Sequence, residues 1–432
     1  MKNPFSNYSR KEILAIGLPA LALVAALFWA ASLFVQPAPP KTIVMTTGAE
    51  GGAYHGYAKR YQEILKRNGI TLELRPSSGS LENLQRLKDE HSGVTLGFIQ
   101  GGTVSAVEGA GLMSLGSMYY EPLWVFYRDR NVLDRIAQLQ GKRLAVGAEG
   151  SGARKLAMQV LAANGLDGAA ERLLPISGDA AVAALRQSQA DAVLVIAGMD
   201  SAVVKKLLEL DGVRLMSFAQ AGAYVKRFPF LSKVTLPRGA VDLVQDVPAQ
   251  DVALIAATAN LAVRDDIHPA LVSLLMLAAS EVHGEAGMFQ VAREFPAPKD
   301  PTLALSKDAE RYYKSGPSFL QRYLPFWAAT LVDRIFVMIL PLLALFPILK
   351  AIPALYQWRV TSRIYRWYGE LSLLENEIRE KYEAPRHAEY LARLDAMESR
   401  ANNRPVPVAY AHYLYTLREH IQLVRQSLER KD

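Results

Sequence analysis

The chain has 432 residues, a formal net charge of +7 and no cysteine, which excludes disulfide bonds and thiol chemistry. Much of the basic excess lies beside two long apolar stretches, where anionic lipid is a simpler partner than nucleic acid. The segment between these stretches has no zinc-finger spacing and no basic stripe, so the composition argues against nucleic-acid binding.

The first apolar stretch, Ile13–Val35, carries no charged residue. A helix needs roughly 20 apolar residues to cross a bilayer, so this stretch predicts a transmembrane anchor. A cleaved signal peptide is the alternative, although its apolar region is usually only about 7–15 residues long. Three basic residues, Lys2, Arg10 and Lys11, precede the stretch, and the positive-inside rule then places the N-terminus in the cytoplasm.

The segment after the anchor alternates strands with helices and repeats this order once. Such alternation predicts parallel sheets covered by helices, and its repetition predicts two lobes. Ligands of open α/β sheets bind at the carboxyl ends of the strands, so both lobes are expected to face one crevice. The first copy has strands at 42–46, 71–74 and 94–99 and helices at 54–68 and 81–88, and the second has strands at 142–146, 173–176 and 192–196 and helices at 154–164 and 177–187.

The connections between the lobes are predicted from two β-rich segments, Leu123–Tyr127 and Val234–Leu236, which prolines punctuate. Two further apolar stretches, 249–263 and 269–282, are interpreted as packing helices of the first lobe. The first of these is too short to be another membrane span.

A second long apolar stretch, Phe326–Leu349, predicts a second transmembrane helix, although it contains Asp333 and Arg334. The span can alternatively run from Ile335 to Tyr356, and a buried helix of a soluble core is a further alternative. A basic, aromatic-rich segment follows, which is typical of a cytoplasmic interface. The segment between the two stretches is therefore expected on the outer side of the membrane, with both termini on the cytoplasmic side.

The tail is highly charged and predicts three amphipathic helices, at 364–382, 386–399 and 409–428. They can form a small bundle, lie against the membrane or dock a partner. The predicted order of the whole chain is a cytoplasmic N-terminus at 1–11, an anchor at 12–35, lobe I at 41–124 and 236–322, lobe II at 125–235, a transmembrane helix at 326–349 and a cytoplasmic helical tail at 350–432.

Three loops rich in glycine and serine, 48–52, 78–80 and 150–153, precede predicted helices. The unpaired N–H groups and the macrodipole at a helix N-terminus favour an anion, and glycine lets a ligand approach the backbone closely. Each loop is alternatively only an N-cap and a turn. Because the loops come from two repeated halves, they are expected to bind a carboxylate together.

Familiar catalytic motifs are incomplete in this chain. Ala153 stands where the lysine of a phosphate-binding loop belongs, and Ser151 lacks the flanking glycines of a nucleophile elbow. The histidines have no convincing metal spacing, and His55 and His268 are interpreted as surface or packing residues. We therefore predict a protein that is not an enzyme and that has no metal and no cofactor.

Five segments resemble, in order and spacing, the TAXI family of TRAP-transporter solute-binding proteins: TTGAEGGAYHGYAKRYQEIL, SSGSLENLQRL, GFIQGG, LQGKRLAVGAEGSGARKLAMQVL and ADAVLVIAG. The resemblance runs from Ile43 to Phe230 and weakly to Leu320. It implies an α/β fold, the two-lobed type II periplasmic-binding-protein fold, which closes on a small organic acid or amino acid of dicarboxylate or glutamate type. It also implies that this binding segment lies in the periplasm, at the inner membrane of a bacterium, and delivers the solute to a sodium-coupled TRAP permease. A transmembrane sensor that signals through the helical tail is the alternative function.

The glycine loops and the family motifs together predict the ligand-binding residues. Glu50 and Arg154 depart from the family pattern, and Glu50 is expected to bind a substrate ammonium or to point to solvent, while Arg154 can offset its charge. The predicted residues are Thr47, Gly48, Glu50, Gly52, Tyr54, Ser78, Gly79, Ser80, Asn83, Gln100, Gly150, Ser151, Gly152, Ala153, Arg154 and Gly198.

Overall fold

The structure is a computed structural model that describes residues 10–33, 37–105, 107–166, 172–403, 406 and 410–430. The predicted cytoplasmic N-terminus up to residue 9 and the end of the first apolar stretch at 34–36 lie outside the described residues. The chain divides into two compact units, Ala38–Thr330 and a second one made of Met1–Pro37 with Leu331–Asp432.

The described residues of the unit Ala38–Thr330 form one ten-stranded sheet. Strands such as β1 and β7, TIVMT and AVLVI, are rich in the β-branched residues that favour extended backbone. The strands are β1 Thr42–Thr46, β2 Thr71–Arg75, β3 Leu96–Gln100, β4 Leu112–Tyr127, β5 Arg143–Ala145, β6 Arg172–Leu174, β7 Ala192–Ile196, β8 Arg214–Leu215, β9 Ser232–Leu236 and β10 Val252–Arg264.

Helices connect and cover these strands, and further helices belong to the second unit. Short 3₁₀ helices lie at Glu90–Ser92, Ile136–Leu139 and Ala384–Arg386. The α-helices are α1 Arg10–Ser32, α2 Ala53–Arg67, α3 Ser80–Lys88, α4 Gly152–Ala162, α5 Gly178–Arg186, α6 Ala202–Leu208, α7 Ala221–Arg227, α8 Pro269–His283, α9 Lys307–Ser315, α10 Phe319–Tyr323, α11 Phe326–Glu380, α12 His387–Asn402 and α13 Ala411–Glu429.

Two parallel trios of strands form the ends of the sheet. β1 pairs with β2 and β3, and β5 pairs with β6 and β7, in both cases in parallel. Parallel neighbours need a crossover connection, which α2 and α3 supply in the first trio and α4 and α5 in the second. The order across the sheet is β2-β1-β3-β10-β4-β7-β5-β6, with β8 paired to β4 and β9 paired to β10.

Two long antiparallel strands, β4 and β10, pass between the trios. β4 pairs with β7 only through its last residues, Leu123–Tyr127, and β10 pairs with β3 only through Ala259–Val263. The buried apolar clusters divide along the same strands, since one contains Leu123–Tyr127 and the other contains Leu115 and Tyr119. We define lobe I as the part built on β1–β3 and lobe II as the part built on β5–β7. The predicted two-lobed α/β architecture is confirmed.

The strands and helices predicted between residues 42 and 196 are confirmed, with small differences at their ends. The packing helix predicted at 249–263 is wrong, because this segment is the strand β10. Its two faces are both buried, so the residues do not alternate between apolar and polar, and a short apolar run of that kind cannot be told from a buried helix by periodicity. The helix predicted at 269–282 is confirmed as α8.

β10 also changes the interpretation of the second connection between the lobes. Val234–Leu236 belongs to β9, which pairs with β10 along Val252–Ala256, and β10 itself then continues to β3 of lobe I. The structure therefore assigns the second connection to β10 and the first to β4, which contains the predicted segment Leu123–Tyr127. The numerical lobe limits given above, 41–124 with 236–322 and 125–235, stay a prediction.

The two predicted membrane spans are not confirmed. Within the described part of the chain, no helix is both long enough and apolar enough to cross a bilayer.

The C-terminal residues form a helical bundle, one of the arrangements predicted from their sequence. The end of α11 packs with α12 and α13 around a buried cluster that includes Leu374, Tyr390 and Ile421. Ion pairs between these helices surround the cluster, such as Arg393 with Glu377 at 2.9 Å. The helix predicted at 364–382 is not separate, because it is the continuation of the 55-residue helix α11.

Candidate ligand-binding cleft

A cleft of about 800 Å³ lies between the two lobes of the unit Ala38–Thr330. Lobe I contributes the loops before α2 and α3 and the end of β3, and lobe II contributes the loop before α4 and residues after β7. The carboxyl ends of parallel strands and the starts of the following helices meet at this edge, as an open α/β sheet requires. The loops predicted to face one crevice therefore do so.

The N-termini of α2, α3 and α4 open into the cleft. Gly52 precedes α2, Gly79 precedes α3 and Ser151 precedes α4, and all three residues line the cleft. Gly52 and Gly79 are the N-cap residues of α2 and α3, and as glycines they provide no side-chain cap to the first turns of these helices. The positive ends of the helix dipoles make this wall suitable for a carboxylate.

The lobes touch where the start of α4 meets the start of α3. A β-carbon added to Gly152 would lie 2.9 Å from Cβ of Ser80, 3.0 Å from its Oγ and 3.2 Å from Oε1 of Gln100. Ordinary carbon contacts are about 3.5–4.0 Å, so only glycine permits this approach. The described arrangement is therefore a closed one at this point.

Ser80 and Gln100 lie together in the cleft wall of lobe I. The backbone N–H of Gln100 donates to Oγ of Ser80 at 2.9 Å, which ties the start of α3 to the end of β3. The Gln100 side chain is 5% exposed, and its amide nitrogen Nε2 has no hydrogen-bond partner within the described residues. A buried donor without a partner loses free energy, so this group is well suited to bind a ligand oxygen.

The floor of the cleft contains a buried acid, Glu121, on the segment of β4 that passes between the lobes. Glu121 is 6% exposed and accepts a 3.1 Å hydrogen bond from the hydroxyl of Tyr54. Oγ of Ser80 lies 3.3 Å from the same hydroxyl. Burial raises the pKa of Glu121 to about 7, because the carboxylate loses its hydration, and the neighbouring hydroxyls of Tyr54 and Tyr119 lower the pKa in part.

The structure brings most of the predicted ligand-binding residues together. None of these positions is tested by a bound solute, so their role in binding stays a prediction. The predicted residues that line the cleft are Gly48, Gly52, Tyr54, Ser78, Gly79, Ser80, Gln100, Ser151, Gly152, Ala153 and Gly198.

Thr47 and Asn83, by contrast, lie beneath the loops and do not line the cleft. Asn83 is fully buried, and its Oδ1 accepts hydrogen bonds of 2.6 Å from the hydroxyls of Thr46 and Ser77. Its Nδ2 donates to the backbone oxygens of Thr47 at 2.5 Å and Phe98 at 2.8 Å. The side chain joins two strands and a loop, so its role is to shape the site.

Glu50, Gly150 and Arg154 also lie outside the cleft lining. Glu50 and Gly150 are exposed at the tips of their loops, so Glu50 points to solvent rather than to the cleft. The guanidinium of Arg154 lies 3.5 Å from the backbone oxygen of Gly147, on its own loop. The expectation that Arg154 offsets Glu50 therefore has no support in the geometry.

Ser151 lines the cleft but uses its hydroxyl within its own loop. Oγ donates to the backbone oxygen of Ala148 at 2.7 Å and accepts the N–H of Arg154 at 3.2 Å, which makes Ser151 the N-cap of α4. The sequence left two alternatives for this loop, a ligand site or an N-cap. The structure shows the Ser151 hydroxyl as an N-cap. The contact of Gly152 with Ser80 shows that the backbone of the same loop still reaches the opposite lobe.

The sequence interpretation missed several polar residues of the cleft. Tyr57 and Arg60 follow Tyr54 at intervals of three residues on α2, a spacing that places them on one helix face and that was available as a signal. Glu121 is the only charged residue of the buried strand β4, which is a second such signal. Asp200 follows β7 from lobe II, where no pattern distinguished it.

Comparisons with known proteins give one family match and several distant structural likenesses. The sequence model of the NMT1-like family matches residues 45–314, which is more than half of the chain. The periplasmic aliphatic sulphonate binding protein SsuA from Escherichia coli is 17% identical over 57% of this chain and 69% of that chain, with a TM-score of 0.36.

Two further structures illustrate the range of these matches. The alkanesulfonate-binding protein SsuA from Xanthomonas axonopodis pv. citri bound to MOPS is 17% identical over 57% of this chain and 74% of that chain, with a TM-score of 0.33. An ancestral arginine-binding protein bound to arginine is 16% identical over 56% of this chain and 93% of that chain, with a TM-score of 0.34. At TM-scores this low, the likenesses carry no argument about the ligand.

Proposed function

The chain belongs to the NMT1-like family, and from this membership and the geometry of the cleft we propose that it is a solute-binding protein that closes on a small carboxylate. The observation that carries the proposal is the convergence of helix N-termini from both lobes on one cleft, with Gly152 in contact with Ser80. A small organic acid or an amino acid, of dicarboxylate or glutamate type, has the size and charge for such a site.

Binding is proposed to act through closure of the lobes. A solute whose carboxylate contacts the starts of α2 and α3 from lobe I and of α4 from lobe II makes all of these contacts only when the lobes are together. Its differential affinity therefore shifts the population toward the closed state. β4 and β10, which connect the lobes, are the segments whose backbone absorbs the movement.

Catalysis is not part of the proposal, because the hydroxyls of Ser80 and Ser151, where the two lobes meet, have no general base beside them. Oγ of Ser151 donates to a backbone oxygen, and Oγ of Ser80 accepts a backbone N–H and lies beside Tyr54. A nucleophilic serine requires a general base within hydrogen-bond reach. Within the described residues, the hydrogen-bond partners of these two hydroxyls include no histidine, aspartate or glutamate.

A carboxylate panel tests the proposed function. At a solute concentration of about 100 times Kd, binding stabilises the folded protein by about 2.7 kcal/mol, which raises Tm by about 5 °C. We expect this shift from at least one monocarboxylate, dicarboxylate or amino acid in thermal unfolding of the full-length protein, and none from matched sugars or amines. A panel in which no carboxylate changes Tm would contradict the proposal.

Delivery to a TRAP permease and attachment to the inner membrane form the finer part of the proposal, together with membership in the TAXI family. They rest on the sequence motifs and on the apolar stretches 12–35 and 326–349, with the cleft in the periplasm and both termini in the cytoplasm. We expect the protein in the membrane fraction of the source cells and resistant to alkaline carbonate extraction. Recovery in the soluble periplasmic fraction would show that the attachment is absent.

A further inference from the structure

We propose that Glu121 is a specificity-determining residue of the cleft, and that its carboxylate binds the ammonium group of a zwitterionic solute whose carboxylate lies at the helix N-termini. This inference rests on the proposed function and names the solute class, which is a small amino acid rather than an acid without an amine. It assigns to Glu121 the role that the sequence suggested for Glu50.

The position of Glu121 carries the first step. The residue lies on β4 between the two apolar clusters, opposite Ala257 of β10, and therefore at the floor shared by both lobes. It is 6% exposed and lines the cleft. One of its oxygens accepts the Tyr54 hydroxyl, and no lysine, arginine or histidine of the described residues forms an ion pair with it within 4.0 Å.

The charge balance carries the second step. A buried carboxylate without a cationic partner is unfavourable in its ionised form, and a solute ammonium at this place supplies the missing charge. A dicarboxylate would instead bring a second negative group toward Glu121. The carboxylate of an amino acid can at the same time accept from the unpartnered Nε2 of Gln100 and from the N–H groups at the helix starts.

Other titratable and charged groups surround Glu121 and do not replace the solute ammonium. Tyr54 donates to Glu121 rather than balancing its charge. The remaining groups lie along the cleft or behind it: Tyr57 and Arg60 on α2, Tyr119 on β4, Asp200 after β7 and His283 of α8, which stacks on Tyr119 with ring centroids 5.6 Å apart. Burial lowers the pKa of His283 to about 3, so this imidazole is neutral over the range in which Glu121 titrates.

The pH dependence follows from the raised pKa of Glu121, about 7 in the protein without solute. An amino acid needs the ionised form, so its affinity rises as the pH increases through 7. At pH 5.5 only about 3% of Glu121 is ionised, so the apparent affinity at pH 8.5 is expected to be about 30 times higher. An acid without an amine binds better when Glu121 is protonated, so its affinity falls as the pH increases over the same range.

Calorimetry on the full-length protein tests this inference with matched pairs of solutes, namely L-alanine with L-lactate, L-leucine with L-2-hydroxyisocaproate and L-glutamate with L-2-hydroxyglutarate. We expect at least one amino acid to bind more than 10-fold tighter than its hydroxy acid at pH 8.5. In E121Q, whose amide keeps the shape and the acceptor for Tyr54, we expect that preference and the pH dependence to be lost.

A second variant separates recognition from folding. Tyr54→Phe removes the hydroxyl that stabilises the ionised Glu121, so the midpoint of the pH dependence should move to higher pH while the preference for the amine remains. Hydroxy acids that bind as tightly as amino acids, or E121Q with an unchanged pH profile, would overturn the inference and leave the proposed function standing. Absence of binding by every solute of both sets would remove the proposed function as well.

Discussion

Replacing Gly152 by leucine is expected to reduce solute affinity by more than 100-fold without unfolding either lobe. Even the β-carbon of the new side chain would lie 2.9 Å from Cβ of Ser80 and 3.2 Å from Oε1 of Gln100. The rest of the leucine would overlap these residues further. Such an overlap costs several kcal/mol in the closed state, and about 2.7 kcal/mol already corresponds to a factor of 100 in affinity. In the open state the same side chain faces solvent, so the folded lobes should tolerate it.

Small-angle scattering and calorimetry can measure this effect. The original protein should contract when solute is added, whereas G152L should keep its larger radius of gyration. G222L is the matched control, since Gly222 also lies in a helix and an added β-carbon there meets no heavy atom within 4 Å. If G152L bound solute as tightly as G222L, the contact between α3 and α4 would not belong to the binding-competent closed state.

The second large effect is expected for Asn83→Ala, on stability. This change removes hydrogen bonds to Thr46, Ser77, Thr47 and Phe98, and leaves buried donors and acceptors without partners. Each unsatisfied buried group costs about 1–3 kcal/mol, so we expect the free energy of unfolding to fall by about 3–5 kcal/mol and Tm to fall by about 10 °C. Denaturant and thermal unfolding of the full-length protein measure both quantities.

Asn68→Ala is the control for this prediction. The Asn68 side chain makes one hydrogen bond, to the backbone oxygen of Ile64 at 2.9 Å, and is only half-buried at the end of α2. We expect a loss of about 1 kcal/mol from N68A. Equal losses in the two variants would mean that the buried network around Asn83 does not hold the loops of the cleft in place.

The elements around the cleft were predictable because local chemistry decides them. Amphipathic spacing identified α2, the glycines after β1 and before α4 indicated helix starts, and the repeated order indicated two lobes. The same loops then line the cleft, since the topology of parallel strands places successive helix starts at one edge. These features depend on residues close together in the chain.

The roles of the residues that lie beneath the loops depend on the tertiary structure. Asn83 matched a family motif and was interpreted as a ligand, but its partners come from β1, β3 and the loop at Ser77, and only their assembly reveals that its hydrogen-bonding groups are already used. β10 was interpreted as a helix because burial on both faces erases the alternation that identifies a strand.

Glu121 shows most clearly the difference between what local sequence indicates and what the folded structure decides. By itself, the sequence indicated the helix starts that favour an anion and the β-rich segment Leu123–Tyr127, which begins just after this acid. Only the pairing of β4 with β10 and β7 placed the carboxylate at the floor of the cleft, next to Tyr54 and without an ion pair to any cation of the described residues. The physical reason is that burial and charge pairing are properties of groups brought together from distant positions, and they do not exist until the lobes have formed.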